Sequence, residues 1–248
     1  MKTAMIFAAG LGTRLRPLTD TMPKALVEVA GKPLLEHILD KLTASAYGRI
    51  VVNVHHFPDQ IIDFLRSRDW GAEIMVSDER EQLMETGGGI LKAEPLLEGC
   101  GNFLVHNVDI ISNLSLSALE AAVREDAVAT LVVSERETAR YLLFDDEFRL
   151  RGWCNTSTGE LRGVTSEKGY RKLAFSGIHL LSGGIFDIMR KENFSGCFSI
   201  IDFYLEICGR YPVYGFVPSA LELVDVGKFG ILENTRMTAA RITAEAAK

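Results

Sequence analysis

Apolar positions in the first half of the chain follow two alternating rhythms. Thr3 to Ala9 reads as a buried strand and Ile50 to Val54 (IVVNV) as a second, and between them Leu34, Leu35, Ile38, Leu39 and Leu42 recur at helical spacing. Pro58 opens a second helical pattern carrying Ile61, Ile62, Phe64 and Leu65. Glu73 to Val76 reads as a third strand, and Phe103 to Val105 as a fourth after a helical stretch from Gly89 to Leu97. Strands alternating with helices predict βαβ units: a parallel sheet covered on both faces, with right-handed crossovers. In such sheets ligands sit at the carboxyl ends of the strands.

The texture changes near Tyr141. YLLF, FRLRGW, a polar run from Asn155 to Gly169 and then LAFSGIHLL predict antiparallel strands around a loop, a lid or insertion. A helix over Phe198 to Cys208, strands at Val213 to Val217 and Leu221 to Val226, and a polar-faced helix from Lys228 close the chain. No internal repeat or long linker interrupts it, so residues 1–248 read as one domain.

Composition narrows the partners. The 248 residues are 47% hydrophobic and 24% charged, and 27 Lys and Arg against 33 Asp and Glu give a net charge of −6. The basic residues are scattered, which argues against a nucleic-acid partner. Cys100, Cys154, Cys197 and Cys208 form no zinc-like spacing and suit a reducing compartment. No run reaches the roughly 20 apolar residues of a membrane span. The expected location is the cytoplasm; self-association as a homo-oligomer is left open.

The chemistry concentrates after the first strand, at Gly10-Leu11-Gly12-Thr13-Arg14-Leu15-Arg16-Pro17. Leu15 stands where a dinucleotide fingerprint needs its third glycine, and Gly31-Lys32 is followed by Pro33 rather than by the Ser or Thr of a Walker loop. Glycines that allow positive φ, successive backbone N–H groups and the planar fork of Arg14 can nonetheless hold a polyphosphate.

The string Gly10-x-Gly12-Thr13-Arg14-x-x-Pro17-x-Thr19-x-x-x-Pro23-Lys24 resembles the signature of the sugar-phosphate nucleotidyltransferases. The similarity continues through Glu85 to Ile90, Asn107-Val108-Asp109, Phe175 to Ile178 and Val224 to Gly227. The resemblance implies a Rossmann-like mixed, mostly parallel sheet with helices on both faces and a small antiparallel sugar-binding insertion. It divides the domain into a nucleotide-binding half over about residues 1–133, a sugar-binding and lid portion over about 134–227, and the C-terminal helix. The implied substrates are a nucleoside triphosphate and a sugar 1-phosphate, whose oxygen attacks the α-phosphorus in line and expels pyrophosphate.

By resemblance, Lys24 reaches the α-phosphate and the incoming sugar phosphate, while Arg14 and the backbone of Gly10, Gly12 and Thr13, with Ala9, hold the departing phosphates. Asp109 and Asp225 are the implied Mg²⁺ ligands, each after a strand. Glu85, Thr86 and Gly87 belong to a segment implied to read the base, which can equally be a helix N-terminus capped by Thr86, and Asn107, Ser176 and Gly177 to the sugar side. Val108 and Lys228 depart from the common pattern. The compact length, AAGLGTRLRPLT and ETGGGI are most similar to the branch that joins UTP to N-acetylmuramate 1-phosphate in cell-wall recycling. Mannose or heptose 1-phosphate guanylyl transfer, choline-phosphate cytidylyl transfer and a non-catalytic nucleotide-sugar-binding subunit remain alternatives. His37 is expected to be structural, and His55, His56 and His106 supporting or surface residues.

Overall fold

The computed structural model describes residues 1–227 and 237–242. Ten strands form the main sheet: β1 (Lys2–Phe7), β2 (Tyr47–Val54), β3 (Glu73–Asp78), β4 (Asn102–Asn107), β5 (Ala129–Ser134), β6 (Arg140–Phe144), β7 (Leu150–Asn155), β8 (Glu160–Arg162), β9 (Arg171–Ser182) and β10 (Val213–Phe216). They run in the order β8-β7-β6-β9-β4-β1-β2-β3, with β5 paired to both β9 and β10. The pairs β1–β2, β1–β4 and β2–β3 are parallel, as is β5–β10. The remaining pairs, three made by β9 and two by β7, are antiparallel. The fold is thus a Rossmann-like α/β sheet with an antiparallel extension.

Alternation along the central strands sends side chains to two cores. Ala4 and Ile6 of β1 and Ile50 and Val52 of β2 face one, where Leu35, Ile38 and Leu42 of α1 (Leu34–Ala44) and Ile61 and Leu65 of α2 (Pro58–Arg66) cover them. Met5 and Val51 face the other, under Ile90 of α3 (Glu85–Lys92) and Phe203, Tyr204 and Ile207 of α4 (Ile200–Ile207). Helices therefore cover both faces. Because β1 has β2 on one side and β4 on the other, the crossovers part beside β1, which opens a crevice at the carboxyl ends of β1 and β4.

Several elements differ from the sequence pattern. β5 was not legible as a strand, and the polar run from Asn155 contains β8. LAFSGIHLL belongs to one strand of 12 residues, β9, that carries on from the insertion into the central sheet. Leu223–Asp225 pairs not with the main sheet but with Ile110–Ser112, as a separate antiparallel ribbon. The first part of the helix expected from Lys228 lies outside the described residues; residues 237–242 are helical.

Two histidines are enclosed in this architecture, His106 and His179, at 0% and 1% exposure. Burial chiefly holds both imidazoles near a pKa of about 3 instead of 6.5. At His106 the carbonyl of Asn107 opposes the shift and Lys41 adds to it, and at His179 the neighbouring His106 adds. Both stay neutral when folded and take up protons on unfolding. Their contribution is therefore complete above about pH 6.5 and is lost as pH falls from there towards 3. Urea denaturation should show stability declining below pH 6.5 with a slope approaching about 1.4 kcal/mol per pH unit for each histidine. The slope should lessen by one proton in His179→Gln; an unaltered slope contradicts the assignment.

Candidate active site

Lys24 begins a short 3₁₀ turn directly after Pro23, which sits in extended backbone. Its ammonium forms an ion pair with Asp109 Oδ2, and the two side chains are only 12% and 13% exposed. Asp109 follows β4. The ribbon aligns Asp225 with Ile110, and the Val226 N–H donates to the Asp109 carbonyl at 2.9 Å, so strand pairing brings two distant carboxylates together. Lys41 of α1 anchors the same ribbon by donating to the Ser112 carbonyl at 2.7 Å, and burial lowers its pKa to about 8.

Gly227 marks the point of convergence. A Cβ there would lie 2.9 Å from Asp225 Oδ1, 3.1 Å from Asp109 Oδ2 and 3.2 Å from Lys24 Nζ. The glycine leaves this space empty and its N–H donates to Asp225 Oδ1 at 2.9 Å. Among the described residues no cluster of three or more metal-ligating side chains exists. Two carboxylates around such a space suit Mg²⁺, which commonly takes one or two carboxylates and completes its shell from phosphate and water.

Beside these groups opens a cleft of about 340 Å³. Ala9, Gly10, Lys24, Glu85, Thr86, Asn107, Val108 and Asp109 line it, together with Asn53, Leu83 and Ser199. The structure thus gathers most of the sequence candidates in one place. Thr13 and Arg14 stand outside the lining on an exposed 3₁₀ turn, and Arg14 makes no ion pair among the described residues. Gly12 adopts φ +64°, with its carbonyl accepting from Leu15 N–H and from Thr19 Oγ1; a Cβ there would meet Thr19 Cγ2 at 2.8 Å.

Thr86 to Gly89 is the opening of α3, the helix start that the sequence also allowed, and its glycines are closely packed. A Cβ on Gly87 would strike the Phe198 ring at 2.3 Å, one on Gly88 the Gly196 carbonyl oxygen at 2.1 Å, and one on Gly89 Glu79 Oε1 at 2.9 Å. The N–H groups of Gly87 and Gly88 donate to the Phe198 carbonyl, and the Thr86 hydroxyl accepts from Ile200 N–H at the start of α4. On the other side, Ser176 and Gly177 do not line the cleft. Ser176 is buried with its hydroxyl unpartnered, and Gly177, at φ +72°, leaves room for the Asn107 side chain, whose Nδ2 would sit 2.6 Å from a Cβ.

The histidine readings agree with the geometry. His37 is buried with Nε2 2.7 Å from the Val29 carbonyl, and His55 and His56 contact the carbonyls of Glu79 and Thr19. Sequence reasoning missed Asn53 and Glu79, buried polar residues at the ends of β2 and β3. Nothing in the local sequence marked either residue, since Asn53 lies inside IVVNV and Glu79 follows Ser77 and Asp78.

The model of the nucleotidyl transferase family matches residues 3–144, more than half of the chain. The chain belongs to this family. It is 38% identical over 228 residues to the N-acetylmuramate alpha-1-phosphate uridylyltransferase of Caulobacter vibrioides, covering 89% of this chain and 90% of that one. Identity to mannose-1-phosphate guanylyltransferase 1 of Arabidopsis thaliana is 33% over 164 residues, 59% of this chain and 45% of that one. The inositol-1-phosphate CTP transferase from T. maritima shares the fold with a TM-score of 0.78 at 18% identity, over 98% of this chain and 96% of that one. The protein is therefore a sugar-1-phosphate nucleotidyltransferase.

Two substitutions separate chemistry from packing in this nucleotidyltransferase. Gly227→Ala places a methyl among Lys24, Asp109 and Asp225, so kcat/KM should fall by about 100-fold or more in a protein that melts near the wild-type temperature. Gly87→Ala overpacks against Phe198 and should cost about 1–3 kcal/mol in ligand-free denaturation. Unchanged turnover in the first, or unchanged stability in the second, contradicts the corresponding assignment.

Proposed function

We propose that this enzyme transfers a uridylyl group from UTP to N-acetylmuramate 1-phosphate with Mg²⁺, in cytoplasmic recycling of cell-wall sugar. Support for the substrate pair comes from the Caulobacter relative and from 45% identity over 116 residues, 46% of this chain and 50% of that one, to the like-named protein of Neisseria meningitidis serogroup B. Support for the reaction comes from one observation, the convergence of Lys24, Asp109 and Asp225 over the bare backbone of Gly227.

A phosphate oxygen of the sugar 1-phosphate forms a bond to the α-phosphorus while the α–β bridging bond breaks, and pyrophosphate leaves with that electron pair. Asp109 and Asp225 would hold a Mg²⁺ ion, which would supply positive charge to the phosphates. Lys24 exchanges its carboxylate partner for phosphate and stabilises negative charge where the two substrates meet. The N–H groups of Gly10 to Thr13, which have no partner among the described residues, donate to phosphate oxygens, with Arg14 reaching in from the rim. Glu85 and Thr86 flank the nucleotide, and Asn107, seated on Gly177, faces the sugar phosphate.

A pyrophosphate-release assay across UTP, dTTP, GTP and CTP, each with a panel of sugar 1-phosphates, tests the pair. UTP with N-acetylmuramate 1-phosphate should give the highest kcat/KM; a preference for GTP with mannose 1-phosphate replaces the substrate reading and keeps the reaction class. Asp109→Asn, Asp225→Asn and Lys24→Ala should each lower kcat by about 100-fold or more while the fold survives. Near-normal turnover in the folded variants removes the cluster from the mechanism.

A further inference from the structure

The carboxyl ends of β1, β2 and β3 are joined by a buried polar clasp. Asn53 Oδ1 accepts from the N–H of Ala8 at 2.7 Å and of Ala9 at 3.3 Å, and Asn53 Nδ2 donates to Glu79 Oε1 at 2.7 Å. Glu79 Oε2 accepts from Met84 N–H at 3.1 Å, the residue before α3. Glu79 is 0% exposed and Asn53 2%. Gly89 lies against the pair, where a Cβ would come 2.9 Å from Glu79 Oε1 and 3.2 Å from Asn53 Nδ2.

The donors fix the direction of every contact. Two backbone N–H groups require the carbonyl end of the Asn53 amide, so its NH₂ end must face Glu79, which has only acceptors to offer. The clasp occupies the N–H groups of Ala8 and Ala9 and leaves those of Gly10 to Thr13 without a partner among the described residues. It also ties that turn to the start of α3, which supplies Glu85 and Thr86 to the opposite part of the cleft. Asn107, which faces the sugar phosphate in the proposed reaction, belongs to β4 and rests against Gly177 of β9, and the side chains of Asn53 and Glu79 make no hydrogen bond to either residue.

We infer that Asn53 and Glu79 are positioning residues for the nucleoside triphosphate: they set the phosphate turn and the start of α3 at the spacing that the nucleotide spans. The inference rests on the family's nucleotidyl transfer and on no particular base. A structural pair would move stability and both substrates alike, whereas a positioning pair moves the triphosphate alone.

The test is steady-state kinetics with whichever substrate pair the wild-type enzyme uses best, with ligand-free melting measured alongside. Asn53→Asp sets a second carboxylate against Glu79, and Glu79→Gln can keep only one of its two contacts. Combining them reverses the donor: the substituted carboxylate accepts from Ala8, Ala9 and the new amide, whose oxygen accepts from Met84. Asn53→Asp should raise KM for the triphosphate by about tenfold or more, with KM for the sugar 1-phosphate within about threefold, and the combined variant should return the first value to within about threefold of wild type. Should Asn53→Asp not fold, Glu79→Gln and the combined variant carry the same comparison. A triphosphate KM within about twofold of wild type in each folded single variant overturns the inference, as does a parallel rise in both KM values that the combined variant does not repair. Turnover of another base or sugar by the wild type alters the substrate assignment and leaves this inference standing.

Discussion

The pairing of a three-residue ribbon governs the chemistry of this fold. Ile110–Ser112 belongs to the segment after the fourth central strand, and Leu223–Asp225 arrives near the end of the described chain. Their register determines whether two carboxylates meet or stay apart, since a slip of one residue would turn Asp225 to the other face. The bond from Val226 to the Asp109 carbonyl, and the Lys41 side chain on Ser112, hold that register from two directions.

The ribbon creates an electrostatic difficulty that Lys24 offsets. Asp109 at low exposure beside a second, half-buried carboxylate is repelled by it, and the ammonium beside Asp109 offsets that repulsion. In the proposed reaction the same ammonium takes phosphate as a second partner, so fold stability and transition-state charge would draw on a single cation. The glycine next to them completes the economy by keeping side-chain atoms out of the space where charge must move.

Much of this was readable from residue order, for identifiable reasons. Apolar runs and helical spacing located β1 to β4, α1 and α2, because buried parallel strands and amphipathic helices leave periodic marks. Lys24 and Asp109 were legible through the family resemblance, whose signature sets the first directly after Pro23 and the second just past a strand. β5 was missed: ATLVVS lies among residues without a turn signal or an alternation to frame it. Asn53 and Glu79 escaped because nothing local distinguishes a buried amide from a surface one; only the third dimension supplies their partners. The glycines of α3 were read as openings for a ligand when they are close approaches of backbone to Phe198 and Gly196. Sequence shows that a Cβ is absent without showing what occupies its place.

Those glycines set the terms on which this cleft can diverge. A position whose side-chain space already holds an aromatic ring or a carbonyl oxygen offers no room for variation, so drift along Gly87, Gly88 and Gly89 is closed. Novelty in what this wall accepts must arise at residues that line the cleft without bearing on the core, Leu83 and Glu85, because Ser199 caps α4 by accepting from Ile201 N–H. Glu85 already sits at φ +57°, a conformation that glycine or asparagine adopts more cheaply, so a shortened side chain there would relax the backbone as it changed the chemistry. For a laboratory library the scaffold thus offers two adjustable letters beside a triplet that should be left unaltered.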